Sequence, residues 1–182
     1  APISTSSSKI TCPICSIFTL LSFTFMYPNP SDPITAPGWK IHFLPILENS
    51  SFEKVAKGAY VVYETAADFD TILIATGSEV ALAIDVAREL EKDGSKVRVV
   101  SMPSVELFEE QSKEYKEELL PLNVRRRVSL EMGNSALWYK YVGLDGLAIG
   151  IDRFGASAPA NKVIEEYGFT VEAVVEKIKN EL

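Results

Sequence analysis

Cysteine and histidine, the side chains that most often serve as nucleophile, base or metal ligand near neutral pH, are scarce in this chain. Cys12, Cys15 and His42 are the whole supply. Cys12 and Cys15 form a C-x-x-C pair. A zinc site needs about four ligands, and a redox pair needs a strand before it and a helix after it. Neither a second ligand pair nor that context is present, so the two read as incidental thiols. All three residues precede residue 44, and no Ser-His-Asp or Cys-His device can be built from the chain that follows. Carboxylates, arginines and small-residue turns are what remains for chemistry.

The turn Thr76-Gly77-Ser78-Glu79 leads from an apolar run into a helical pattern. Backbone N–H groups at a helix start can hold a phosphate, and Ser78 could assist. The spacings G-x-G-x-x-G and G-x-x-x-x-G-K-[ST] are both absent, and Glu79 would repel an anion. A tight turn with its own cap is the competing reading. Arg125-Arg126-Arg127 is the one basic cluster, suited to a phosphorylated substrate or an acidic partner. On a strand these residues alternate faces, so surface ion pairing with the acidic helices is the expected role. The run Asp152-Arg153-Phe154-Gly155-Ala156-Ser157-Ala158-Pro159 gathers small residues around a charged pair. Gly155 permits close approach of a backbone or ligand, while Asp152 and Ser157 can orient a polar group or settle a loop against a neighbouring subunit. Glu109, Glu110, Glu114, Glu117 and Glu118 read as carboxylates on solvated helices. Taken alone, these residues describe a binding or assembly module. Gly77, Ser78, Asp152, Gly155 and Ser157 are its candidate interface or anion-binding positions.

The elements that must position these turns follow from periodicity. Ala59–Val62 is a candidate strand without a crossover helix of its own, suited to an antiparallel edge. Thr71–Ala75 is a continuous apolar run, as in a strand buried on both faces. In the helix that follows, Ala83, Val86, Ala87 and Leu90 form one apolar stripe, and Gly94 stands at its end. Val97–Ser101 is the next strand, and Glu106–Leu120 supplies one or two acidic helices before Pro121. Strands at Arg127–Leu130 and Leu147–Ile151 flank a helix around Ala136–Val142. A short helix at Asn161–Tyr167 stops at Gly168, and Thr170 caps a last helix through Val171, Val174, Val175, Ile178 and Leu182. Strands alternating with helices imply a three-layer α/β sandwich. Its sheet is mostly parallel, of about five strands with one antiparallel edge strand, and carries helices on both faces.

Composition narrows the partners. The chain has 182 residues, 47% apolar and 24% charged, with net charge −7. That charge argues against nucleic acid or an anionic membrane surface. No apolar run reaches the 18 residues that a spanning helix needs. Residues 1–43 carry only Lys9, Asp32 and Lys40 as charges, are rich in Ser, Thr and Pro, and show no clear period. They read as an irregular or foreign segment, with the regular domain at 44–182.

The ordered blocks then carry a resemblance. Leu73-Ile74-Ala75-Thr76-Gly77-Ser78-Glu79, Val97-Arg98-Val99-Val100-Ser101-Met102-Pro103, and Leu107-Phe108 with Gln111 come first. Tyr115-Lys116, Leu120-Pro121, Tyr141-Val142-Gly143, Ile151 to Pro159, and Glu166 to Thr170 follow in order. Over about 140 residues the chain resembles the C-terminal domain of transketolases. The Phe154-Gly155-Ala156-Ser157-Ala158-Pro159 block separates that family from its E1 β-subunit and deoxyxylulose-phosphate synthase relatives. The resemblance implies a cytoplasmic homodimer that transfers a two-carbon ketol unit between sugar phosphates, using thiamine diphosphate and a divalent metal (magnesium or calcium). It places the cofactor-binding and catalytic residues in the family's upstream domains, which would be this chain's partners. The expected role here is structural, in dimer assembly, with no catalytic residue, cofactor ligand or metal ligand. Leu44-Pro45 resembles the family's entry into this domain, but Ile41-His42-Phe43 stands where the family has an Arg-Gln-Asn-like triplet. Two alternatives remain open at this point: a free-standing nucleotide- or phosphate-binding module, and the same domain of another thiamine-dependent transferase such as dihydroxyacetone synthase.

Overall fold

A computed structural model describes residues 49–182. Cys12, Cys15, His42 and the whole of the 1–43 segment lie outside the described residues.

Helix α1 (Phe52–Ala56) leads into β1 (Tyr60–Glu64), and β2 (Thr71–Ala75) and α2 (Glu79–Lys92) form the first strand–helix unit. Next come β3 (Val97–Ser101), α3 (Val105–Glu109), α4 (Lys113–Leu119) and β4 (Arg126–Leu130). A 3₁₀ turn (Ser135–Trp138) runs into α5 (Tyr139–Val142), followed by β5 (Leu147–Ile149), α6 (Ala160–Glu166) and α7 (Val171–Glu181). The sheet order is β1-β3-β2-β4-β5. Only the β1–β3 pair is antiparallel, at the edge where the strand without a crossover helix was expected.

Strand β2 explains the layers. All five of its residues are buried, and the two-residue period sends Leu73 and Ala75 to one face and Ile72 and Ile74 to the other. On the first face Val86, Ala87 and Leu90 of α2 pack with Val174 and Ile178 of α7. On the second, Phe108, Leu119, Trp138 and Tyr141 cover Ile72, Ile74 and Val100. Burying each large apolar side chain contributes about 1.5–3 kcal/mol before the chain-entropy cost is counted.

Contacts between distant residues set several of the element boundaries. Strand β1 begins at Tyr60 because the Ala59 carbonyl accepts the Tyr115 hydroxyl, 2.7 Å away, and pairing then runs on to Glu64 opposite Arg98. The acidic stretch divides in two where the Ser112 hydroxyl accepts from Tyr115 N–H and starts a second helix. The first turn of the 136–142 helix tightens to 3₁₀. Strand β5 stops at Ile149 rather than Ile151, because the Ile151 N–H leaves the ladder to donate to Gly133 O at 2.7 Å. Thr170 caps α7 as expected, with its hydroxyl accepting from Ala173 N–H.

Candidate functional site

The parallel strands β2, β3 and β4 all end on the same edge of the sheet. From β2 the chain crosses to β3 along the face that holds α2. From β3 it returns past β2 to β4 along the opposite face, which holds α3 and α4. Loops that leave neighbouring strands toward opposite faces open a crevice between them. Here the crevice is an open cleft of ≈ 340 Å³. Its walls are Thr76 after β2, Met102 to Glu106 after β3, and Glu131, Gly133 and Asn134 after β4, with Leu137 and Trp138 alongside.

The first of these turns is built as follows. Gly77 has φ +56°, a left-handed conformation that favours glycine. Glu79 N–H donates to Thr76 O at 3.2 Å, closing a tight turn. The Ser78 hydroxyl makes no capping bond to the helix and donates to Glu79 Oε1 at 2.9 Å. The buried Glu79 carboxylate therefore already stands at the positive end of α2.

Asp152 sits at the opposite end of its own loop's logic. Its Oδ1 accepts from Asn134 Nδ2 and Ser135 N–H, both at 2.9 Å, and its Oδ2 accepts the Ser135 hydroxyl at 2.7 Å. The Ser135 hydroxyl, followed by its N–H, holds this carboxyl below the ordinary aspartate range. Behind the loop, the Tyr167 hydroxyl donates to Phe154 O at 2.9 Å, and the Arg153 guanidinium lies 4.5 Å from the Tyr167 ring centre. The backbone is thus held while the Phe154 side chain is fully solvent-exposed, at 100%. Gly155 and Ser157 are exposed beside it, and a Cβ at Gly155 would meet nothing within 4 Å. Asp152 and Arg153 line a second, shallow cavity of ≈ 320 Å³ with Gly150, Ile151 and Tyr167. Gly77, Ser78, Gly155 and Ser157 line neither cavity. The five candidate positions fall at two separate turns, with no described hydrogen bond joining the two groups.

The arginine cluster departs from its expected role. Of the three, only Arg125 forms an ion pair among the described residues, to Asp145. Arg127 turns its guanidinium onto four carbonyls: Val124 O (2.9 Å), Tyr141 O (3.0 Å), Leu120 O (3.1 Å) and Pro121 O (2.9 Å). The chain folds three loop and helix ends around it, so it is a structural clamp. Arg126 Nε is buried and has no hydrogen-bond partner among the described residues.

Two carboxylates carry more than the sequence suggested. Glu109, expected on a solvated helix face, accepts from Tyr141 Oη (2.6 Å), Lys140 Nζ (2.8 Å) and Lys116 Nζ (3.2 Å). Lys140 and Tyr141 pull its carboxyl down to about 2. Glu131, the first residue after β4, behaves in the opposite way. Burial, and then the Glu79 charge, push its carboxyl up to about 7, and its inaccessible Oε2 has no hydrogen-bond partner. A signal for Glu131 did exist: a carboxylate directly at the C-terminal end of the uncharged strand segment Val128-Ser129-Leu130.

Residues 58–170 match the family described as the transketolase-like TK C-terminal domain. The chain belongs to that family. It is 65% identical over 137 residues to a probable transketolase of Streptococcus pneumoniae, covering 75% of this chain and 21% of that protein. A transketolase of Bacillus subtilis is 52% identical over 140 residues, with 75% and 21% covered. Among solved structures, a transketolase from Pichia stipitis aligns with TM-score 0.68 at 40% identity, and one from Leishmania mexicana with 0.67 at 41%. Each alignment covers 74% of this chain and 19% of the other. The chain thus spans about a fifth of the length of the transketolases it matches. Membership in the transketolase C-terminal family displaces the reading of a free-standing nucleotide- or phosphate-binding module.

Proposed function

We propose that residues 44–182 serve as the C-terminal domain of a transketolase, shaping and stabilising the assembled enzyme without supplying catalytic groups. The observation that carries this reading is the family match over residues 58–170. The complete enzyme would transfer a two-carbon ketol unit from a ketose phosphate to an aldose phosphate as a cytoplasmic homodimer. Thiamine diphosphate with magnesium or calcium would supply the carbanion chemistry. The described residues do not fit that cofactor. Among them no group of three or more His, Cys, Asp or Glu side chains is placed to hold a metal ion. The phosphate-loop spacings are absent as well. We therefore assign both groups to the part of the family that this chain does not match.

The contact surface follows from the Asp152 loop. A backbone pinned from behind, with Phe154 presented to solvent, suits docking against a preformed partner surface, because little ordering remains to be done on contact. Gly155 and Ser157 leave room for a neighbouring backbone there, and Asp152 holds the loop at its base. Gly77 and Ser78 form a second, smaller candidate contact. Among the described residues no helix is long and apolar enough to cross a membrane.

The test is ketol transfer by the purified 182-residue chain, supplied with thiamine diphosphate, magnesium and sugar phosphates. No turnover is expected, and measurable turnover overturns the assignment. Mixing the chain with the pneumococcal relative truncated before its matched region tests the assembly role. A complex should sediment together, and Phe154→Ser should weaken it. Absence of any complex overturns that role.

A further inference from the structure

At the end of the sheet opposite the Asp152 loop, two turns lead into the neighbouring parallel strands β4 and β5. Pro121 to Arg125 precede β4, and Gly143 to Gly146 precede β5. Both turns are held rigidly from within. Arg127 binds the carbonyls of Leu120, Pro121 and Tyr141, and Gly143 turns the chain at φ +76°. Gly146 lies so close to the start of β4 that a Cβ there would sit 2.7 Å from Arg127 O. On this frame Leu122 is 76% exposed and Leu144 wholly so. Arg125 and Asp145 join the two turns as an ion pair, both side chains lying mostly in solvent.

We infer that this surface pairs with the same surface of a second copy of the chain, about a two-fold axis. A two-fold contact is self-complementary, so the patch must carry both halves of every interaction. The two turns carry one base and one acid, Arg125 and Asp145, and no other charge, which makes the patch neutral in a chain of net charge −7. Copies that repel elsewhere do not repel there. Arg125 Nε and Nη2 both reach Asp145 Oδ2, while Arg125 Nη1 and Asp145 Oδ1 have no hydrogen-bond partner among the described residues. Each copy thus keeps one donor and one acceptor for the other copy to meet. Leu122, three residues before Arg125, and Leu144, directly before Asp145, are covered by their counterparts in the same contact, which removes apolar area from water. A nucleic acid or another strongly charged partner gains nothing from a neutral patch.

The contact is small. Two turns provide far fewer than the roughly 20–30 residues a side of a standard interface, so the isolated chain should associate weakly. In a complete enzyme whose subunits are already joined elsewhere, the effective concentration would make the same contact persist. Rigid turns favour it, because little conformational freedom is lost on contact. The surface lies apart from the Phe154 loop, and the pairing does not depend on that loop's role.

The experiment follows the 182-residue chain by sedimentation and backbone amide NMR across a wide range of chain concentration. Mass should rise toward that of a dimer, with saturating shifts at Asn123, Leu144 and Asp145. Arg125→Asp and Asp145→Arg should each weaken association about tenfold, as two exposed charge pairs turn repulsive. An equal mixture of these two variants should restore it, because the two acids of one then face the two bases of the other. Leu144→Ser is a second, uncharged variant, and it should weaken association while leaving the rest of the amide spectrum unchanged. Absence of self-association, shifts confined to another surface, a mixture no tighter than either variant alone, or association unaffected by Leu144→Ser would each overturn the inference. So would binding of the truncated pneumococcal relative at Leu122 and Leu144 in place of a second copy.

Discussion

Replacing Arg127 by methionine keeps an unbranched stem of similar reach and deletes the guanidinium. Four carbonyls then lose a charged donor: those of Val124, Tyr141, Leu120 and Pro121. Val124, Tyr141 and Leu120 are buried residues, so water cannot fully replace the donor there. Leaving a buried acceptor unsatisfied costs about 1–3 kcal/mol. The low end applies because Arg127 itself is only partly buried, and the four bonds share one side chain and are not additive. The expected loss is about 3 kcal/mol. Arg127→Lys offers a point charge without the planar fork, which restores one or two bonds and about half of that loss. Urea denaturation of the 182-residue chain at neutral pH reads both variants as lower midpoints at unchanged slope. A Met variant within about 0.5 kcal/mol of the parent, the range of ordinary surface substitutions, would refute the clamp. So would a lysine variant as stable as arginine.

Three further outcomes are expected. Gly58→Ala should cost several kcal/mol or prevent folding, since φ is +83° and a Cβ would sit 2.3 Å from Phe108 N and 2.4 Å from Ser104 O; an amide exchange pattern like the parent's would contradict this. Glu131 has a folded-state value raised from 4.5 to about 7, so its destabilising effect is absent below pH 4.5, grows as pH rises from 4.5 to 7 and is constant above that. The unscreened ceiling is about 3.4 kcal/mol, and partial exposure reduces it to about 1–2 kcal/mol, so the stability of Glu131→Gln relative to the parent should improve by that amount between pH 4.5 and pH 8. A difference constant across that range would reject it. Glu109 is the reverse case, lowered from 4.5 to about 2, and its contribution is present above pH 4.5 and lost as pH falls toward 2. Glu109→Gln should therefore cost about 1 kcal/mol at pH 7 and progressively less in acid, measured by thermal melts across pH.

Strands β2 and β3 were readable to the residue because each lies between two neighbours and is buried along most of its length, leaving a nearly continuous apolar run in β2 and one charge, Arg98, in β3. Helix α7 was readable because Thr170 and the Val171–Ile178 stripe act locally. Strand β5 was read two residues too long, since Ile151 follows a hydrogen bond to Gly133, eighteen positions earlier, which no local pattern reveals. Arg127 and Glu109 were misread for the same reason. Both carry the residue type of a surface charge, and only the convergence of distant loops gives them buried or shared partners. The turns at Gly77 and Asp152 were found from composition, while Glu131 depended on three strand ends meeting around one side chain.

The two outer strands carry a consequence for how this domain can associate. Strand β5 is three residues long, and β1 breaks register with its partner between Val61 and Tyr63. Neither offers the long, regular row of free amides and carbonyls on which another chain could add a strand. Edge-to-edge aggregation is thereby discouraged, and so is β-augmentation as a route for partners. Whatever binds this domain must recognise side chains and loop surfaces, which makes its associations sensitive to single substitutions in a way that backbone pairing would not be.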